Sequence, residues 1–304
     1  MMRVVEVTAA GGPEVLKVAE RPDPVAGDGE VVVAVRAATV NPTDLGARMR
    51  RGPRATPDPP FVLGWDFAGE VASVGDGVSG VAPGDRVVGM VQWYDAGGAV
   101  GAYAEQIAAD AEWVVPLPDA VDFETAATIP LNGLTAAQGL DLLALPAGSS
   151  LLVTGATGAV GSFAVQLAVA AGLRVVAQAS TGDEAWVESL GPAEVIGRDA
   201  DLSALEVDAA FDAVPLGEPV HPAVRDGGAI VTTRRVPDPD PARGIDAQVF
   251  LVHHDRERLR ALVDDVAAGR LRTRIDRVLP LEQAAEAHRL NEAGGLRGKV
   301  LLAP

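Results

Sequence analysis

The chain has 304 residues, 48% of them apolar and none of them cysteine, which is length enough for two cores and excludes disulfides, thiolate metal sites and a cysteine nucleophile. A formal charge of −17 opposes nonspecific nucleic-acid binding, whose affinity comes largely from phosphate neutralisation. No apolar run approaches the ~18 residues of a membrane span, and residues 1–6 lack a basic segment followed by an apolar block, so a cytoplasmic enzyme with a solvated acidic surface is expected.

The first 120 residues read as β-rich and barrel-like: short strand-like runs at 4–8, 15–20, 30–39, 67–74, 86–91 and 103–108 are separated by Gly, Pro and Asp turns. From residue 118 the pattern changes, with helices expected at 123–129 and 134–143. Strand candidates follow at 150–154, 173–179, 193–197, 208–214, 228–233 and 247–253, six mainly parallel strands of a doubly wound sheet. A proline-broken loop fills 234–246, and 255–268 reads as a helix with Leu259, Leu262, Val263 and Val266 on one face. The last segment reads strand (271–278), helix (281–291), strand (299–302), and is expected to return to the first domain.

The stretch from Ser150 to Gly161 carries the strongest chemical signal. An apolar run ends in a glycine-rich turn that opens a helix of small and apolar residues. In a dinucleotide-binding βαβ unit the turn is tight, its backbone approaches a pyrophosphate and the helix packs closely on the sheet, so three positions favour residues with little side chain. Ala156, Gly158 and Gly161 fill them, with alanine in the place of the first glycine. A cofactor contact is therefore expected at Ala156, Thr157, Gly158, Ala159, Val160 and Gly161, with the pyrophosphate on helix N-terminal N–H groups. The bland alternative is that the glycines serve only helix packing. NAD sites place a carboxylate about 20 residues farther on, against the ribose 2′-hydroxyl. Here that place carries the hydroxyls of Ser180 and Thr181, which favours a 2′-phosphate and NADPH over NADH.

With both halves in view, the sequence resembles the medium-chain dehydrogenase/reductase superfamily, specifically its zinc-free quinone oxidoreductase branch. The stretches that carry the resemblance are Val40-Asn41-Pro42-Thr43-Asp44, Leu63-Gly64-Trp65-Asp66-Phe67-Ala68-Gly69-Glu70-Val71, Pro83-Gly84-Asp85-Arg86-Val87, Gly101-Ala102-Tyr103-Ala104-Glu105, Gly133-Leu134-Thr135-Ala136-Ala137, the glycine turn and Gly298-Lys299-Val300. The resemblance implies an α/β protein with an N-terminal GroES-like β-rich barrel domain, residues 1–122 completed by 271–304, and a Rossmann doubly wound parallel-sheet domain, residues 123–270, that binds NADPH in the cleft between them. Zinc members of the superfamily carry a Cys before the aspartate of the first motif and Gly-His-Glu in the second, where this chain has Pro42-Thr43-Asp44 and Gly64-Trp65-Asp66. Its four histidines, His221, His253, His254 and His288, offer no i, i+4 pair, so no zinc is expected.

The resemblance also assigns roles. It makes Asn41 the donor to a developing oxyanion, with an Asn-Pro turn residue as the plain alternative. Many relatives place a tyrosine where this chain has Gly46, so Tyr94, beside Trp93 in a loop-like stretch, is the substitute proton donor, with loop packing or bulk water as the alternatives. Trp65 and Trp93 are expected to line the substrate site, and Thr135 to lie near the nicotinamide. Arg198, at the end of the third Rossmann strand, would support a 2′-phosphate that Asp183 would oppose; a solvated loop arginine is the alternative. Asp44 and Asp66 read as structural carboxylates, and Arg48, Arg50, Arg51 and Arg54 as a basic cluster that attracts an anion or simply faces solvent. The implied activity is hydride transfer from NADPH to a quinone or α,β-unsaturated carbonyl by a homodimer paired through the strand at 247–253, whose apolar character a buried strand within one subunit explains equally; a pathway-specific enoyl reductase and a non-catalytic NADPH-binding sensor are the competing readings.

Overall fold

The computed structural model describes residues 1–304, which divide into two compact units. The first comprises Met1–Leu131, His253–Arg270 and Arg274–Pro304; the second comprises Asn132–Val252 and Leu271–Thr273.

In the first unit, β1 (Met2–Val7), β2 (Leu16–Arg21), β3 (Glu30–Thr39), the short helix α1 (Pro42–Arg48), β4 (Phe61–Val62), β5 (Asp66–Val74), β6 (Arg86–Met90), β7 (Gln106–Asp110), β8 (Val114–Pro116) and α2 (Phe123–Ala127) follow one another. The second unit contains α3 (Pro130–Leu143, from its third residue), β9 (Ser150–Thr154), α4 (Ala159–Ala170), β10 (Arg174–Ala179), α5 (Glu184–Glu188), β11 (Glu194–Gly197), β12 (Val207–Asp212), β13 (Val224–Thr232) and β14 (Asp246–Val249). The chain then re-enters the first unit with α6 (Arg256–Ala267), β15 (Ile275–Pro280), α7 (Ala284–Ala293) and β16 (Lys299–Ala303).

The larger sheet of the first unit has the order β15-β16-β3-β5-β6-β8, with β7 also pairing β3; a smaller sheet runs β2-β1-β4. Strand β16 pairs antiparallel with β3, Leu301 opposite Thr39 and Leu302 opposite Ala38, so the end of the chain closes on residues near its start. The second unit is a six-stranded parallel sheet, β11-β10-β9-β12-β13-β14. All its strands point the same way, so the turns that leave β9, β10 and β11 share one edge.

Three expectations change. Helix α1 was not anticipated, because Asn41-Pro42 read as a turn; proline at the first helical position starts a helix instead, as its missing N–H needs no acceptor there. Residues 123–131 and 253–270 group with the first unit, since α2 packs on β3 and β5 and α6 on β8. Helix α6 itself follows its sequence pattern: Asp255 accepts from the Arg258 N–H at its start, and Leu259, Leu262 and Val263 are buried. The strand at 247–253 is shorter than expected and forms the outer edge of the parallel sheet, with Val249 47% and Leu251 41% exposed.

Candidate active site

In the second unit, the turn after β9 is held by Gly155, whose φ of +58° lies in the left-handed region. Ala156, set against the first glycine of the fingerprint, is fully buried, and the conformational demand falls one residue earlier than the motif count suggests. A Cβ on Gly161 would come within 2.2 Å of the Gly155 carbonyl oxygen, so close contact between turn and helix requires glycine there. Gly158 differs. It caps α4, is exposed, and a Cβ on it would meet only the Gly155 oxygen, at 3.3 Å, so its bare backbone faces open space. The leading N–H groups of α4, from Ala159, Val160 and Gly161, have no acceptor within the helix and form an anion-binding end. This cradle fits a dinucleotide pyrophosphate.

Beside it, three side chains converge. The Thr157 hydroxyl accepts from the Ser180 N–H at 2.9 Å, tying the turn to the end of β10, and exposed Arg198 donates from Nη2 to the Ser180 hydroxyl at 2.8 Å. Thr181 is exposed next to them; Asp183 is buried at the start of α5, and Glu184 accepts from the Gly182 N–H. Thr135 lies buried in α3.

In the first unit, Asn41 sits at the end of β3 and Lys299 opposite it at the start of β16, the register continuing from the Leu301–Thr39 pair. Both are buried. The Asn41 amide is engaged at both ends: its Nδ2 donates to Asp66 at 2.7 Å, and its Oδ1 accepts from Lys299 Nζ at 2.7 Å. Asp44 accepts from the N–H groups of Asn41 (2.8 Å) and Gly64 (2.9 Å), and Asp66 from Leu131 N–H (2.8 Å). Desolvation raises Asp44 to about 7 and Asp66 to about 6, against the hydrogen bonds that favour their charged forms. Burial lowers Lys299 to about 8, opposed by the two carboxylates. Sequence reasoning placed the structural carboxylates but gave Lys299 no role; a lysine opening an apolar strand was the available signal.

The aromatic residues also come together. Trp65 and Trp93 have centroids 4.9 Å apart, and Tyr94 stands edge-on to both at 5.6 and 5.2 Å. Trp93 is fully buried, its Nε1 donating to the Val62 carbonyl at 2.7 Å, and Trp65 is 5% exposed. The half-buried Tyr94 has its hydroxyl shielded from solvent, near Thr43 but in hydrogen-bond geometry with no group, and abutting Gly52. Of the basic cluster, Arg50, Arg51 and Arg54 face solvent, Arg50 pairing with Asp58 at 2.9 Å and Arg54 with Asp95 at 2.5 Å, while Arg48 is buried. No three His, Cys, Asp or Glu side chains stand together, and each Asp66 oxygen already accepts a hydrogen bond, from Asn41 Nδ2 and from the Leu131 N–H.

Residues 27–119 match the alcohol dehydrogenase GroES-like domain family, and residues 190–302 the zinc-binding dehydrogenase family. Among relatives, the chain is 32% identical to a 2-methylene-furan-3-one reductase of Solanum lycopersicum over 90% of this chain and 72% of that one. It is 32% identical to a chloroplastic NADPH-dependent alkenal/one oxidoreductase of Arabidopsis thaliana over 97% of this chain and 77% of that one. The solved structure of the quinone oxidoreductase from Coxiella burnetii superposes with a TM-score of 0.88 at 28% identity, covering 100% of this chain and 99% of that one. The parallel-sheet unit with its glycine turn and the β-rich unit that precedes it thus define a dehydrogenase/reductase. The chain belongs to the medium-chain dehydrogenase/reductase superfamily and is an oxidoreductase of that family.

Proposed function

We propose that the protein is an NADPH-dependent, zinc-independent reductase of quinones or α,β-unsaturated carbonyls. The observation that carries the reading is the contact of Arg198 with Ser180 beside the glycine turn, which offers a guanidinium and hydroxyls where a ribose 2′-phosphate would lie. The names of the relatives, an NADPH-dependent alkenal/one oxidoreductase and a quinone oxidoreductase, support the substrate class.

The nicotinamide, when bound, supplies the hydride. The N–H groups of Ala159, Val160 and Gly161 hold the pyrophosphate, Ser180, Thr181 and Arg198 the 2′-phosphate, and Thr135 contributes a hydroxyl near the nicotinamide. Asn41 keeps one amide N–H beyond the one given to Asp66. Lys299 on its carbonyl oxygen draws electron density from the amide and strengthens that remaining donor toward a carbonyl oxygen gaining charge. Tyr94, whose hydroxyl has no partner, is the proton donor, with water the alternative source. Trp65 supplies an apolar wall. The exposed edge strand β14 is the surface through which two copies pair, extending the sheet.

Purified protein with NADPH and a panel including naphthoquinone and cyclohexenone tests the reading. NADPH oxidation with at least one acceptor, undiminished by chelator, is expected. Tight NADPH binding with no oxidation by any acceptor would overturn it in favour of a binding protein.

A further inference from the structure

Strands of a parallel sheet are buried on both faces and read as near-continuous apolar runs, so a polar residue within one needs a reason. In the second unit three such residues stand at one level. Thr154 ends β9, Asp212 ends β12 and Thr232 ends β13, and the register pairs Thr154 with Asp212 and Asp212 with Thr232. All three are buried, Asp212 to 1% exposure. Thr232 is satisfied close by, its hydroxyl donating to the Arg234 carbonyl at 3.2 Å. The other two are joined. The Thr154 hydroxyl donates to Asp212 Oδ1 at 2.6 Å, and Asp212 Oδ2 accepts the Gly217 N–H at 3.0 Å. The Thr154 oxygen also accepts the Val214 N–H at 3.4 Å. One carboxyl and one hydroxyl thereby hold both ends of the segment 213–217 that leaves β12. That segment rests on the glycine turn: a Cβ on Gly155 would come within 2.1 Å of Val214 Cγ2, so glycine is required there for the valine as well as for the positive φ. Val214 fills that space and is still 49% exposed.

We infer that Asp212 and Thr154 are positioning residues for the cofactor, holding Val214 against Gly155 as the apolar surface on which the nicotinamide half of the dinucleotide lies. The inference rests on the dinucleotide reading of the turn. Its direction comes from strand order: β9 lies between β10 and β12. Ser180 follows β10 and Arg198 follows β11, so the 2′-phosphate end belongs to that side of the turn. A dinucleotide crosses such a sheet where the strand order reverses, so with its pyrophosphate on the turn after β9 its other half passes over the β12 side, where 213–217 lies. The reduced nicotinamide ring is flat and uncharged, and an exposed valine meets it without a competing charge. Asp212, itself buried, acts through the backbone of the segment and not on the ligand.

Binding separates this role from general support of the fold. Calorimetric titration of the full chain compares NADPH with adenosine 2′,5′-bisphosphate, which carries the half that Ser180 and Arg198 would hold and lacks the nicotinamide. In Asp212→Asn the amide offers an acceptor to only one of the two donors and sets its own N–H groups against the other. In Thr154→Val the hydroxyl is gone. Each should weaken NADPH by about tenfold, the scale of one lost hydrogen bond, with the bisphosphate changed by less than about twofold. Thr154→Ser, which keeps the hydroxyl, should bind NADPH within about twofold of the wild-type value. Val214→Ala, at a half-exposed position where folding is not at risk, leaves both side-chain hydrogen bonds of Asp212 in place and should weaken NADPH but not the bisphosphate. Equal losses for the two ligands would make the pair a support of the whole turn, and an unchanged NADPH affinity in the three weakened variants would leave Val214 without a role; either result overturns the inference. A wild-type protein that binds neither ligand overturns the dinucleotide reading itself, and the inference with it.

Discussion

The glycine turn of the parallel-sheet unit and the buried polar cluster of the first unit are made of opposite materials. The turn offers backbone N–H groups from one continuous stretch, and its side chains matter chiefly by being small. The cluster offers side chains from residues 41, 44, 66 and 299, each buried and each holding another's hydrogen bond. A backbone site is specified locally and tolerates charge changes elsewhere. A side-chain site exists only when distant segments have met, and removing one member leaves the others buried without their partner.

The largest expected effect follows from that contrast. Lys299→Met removes the ammonium that donates to the Asn41 amide and whose charge acts on Asp44 and Asp66, and should cost about 1.5–3 kcal/mol, as losing a hydrogen bond to a charged group does. The sign of its pH dependence is fixed by the carboxylates. Their folded pKa values, about 7 and about 6, already lie above the unfolded value of 3.8, and losing Lys299 raises them further. A raised carboxylate contributes stability that is present below its unfolded pKa and lost as pH rises through the folded one. Chemical denaturation should therefore find the variant's deficit greater at about pH 8 than at about pH 5; an equal deficit at both would detach Lys299 from the carboxylates.

The turn should respond differently at two glycines only three residues apart. Gly161→Ala forces a Cβ to 2.2 Å from a backbone oxygen, and overpacking of this kind costs about 1–3 kcal/mol, so both melting temperature and NADPH affinity should fall. Gly158→Ala meets its nearest atom at 3.3 Å and should leave the melting temperature nearly unchanged; on the proposed reading, in which NADPH phosphates fill that space, it should weaken NADPH. Equal effects of the two would mean that the turn is a packing device alone.

Smallest is Arg198→Ala. A charged hydrogen bond contributes about 1.5–3 kcal/mol, but Arg198 is exposed and solvent screening reduces this to about 1 kcal/mol. NADPH affinity should drop about fivefold with NADH affinity unchanged, measured by titration calorimetry. A matching loss for both cofactors would remove the 2′-phosphate from this position.

What could be read from the sequence follows the same division. The run from β9 through α4 to β10 was legible because strand, turn and helix each follow from neighbouring residues, and α6 because its apolar spacing and its Asp255 cap are local. Lys299 was visible as part of a motif but not as the partner of Asn41, since that contact depends on the β3–β16 register. His288 entered only as one of four histidines without an i, i+4 pair and Arg48 only as part of a basic cluster; nothing within a few residues of either announces a partner some 240 positions away. Tyr94 and Trp93 are neighbours in sequence, but the burial of Trp93, its indole donating to the Val62 carbonyl across the fold, is set by a segment some thirty residues earlier.

The pairing of β16 with β3 also sets an order of events during synthesis. Residues 132–252, the bulk of the parallel-sheet unit, are complete while the last strand is still unmade. A vectorially emerging chain can finish its middle before its beginning. Until Lys299 arrives, Asn41 lacks a donor to its carbonyl oxygen and Asp44 and Asp66 lack their ammonium, so the N-terminal unit has reason to stay open, its carboxylates in water, until the final strand closes it.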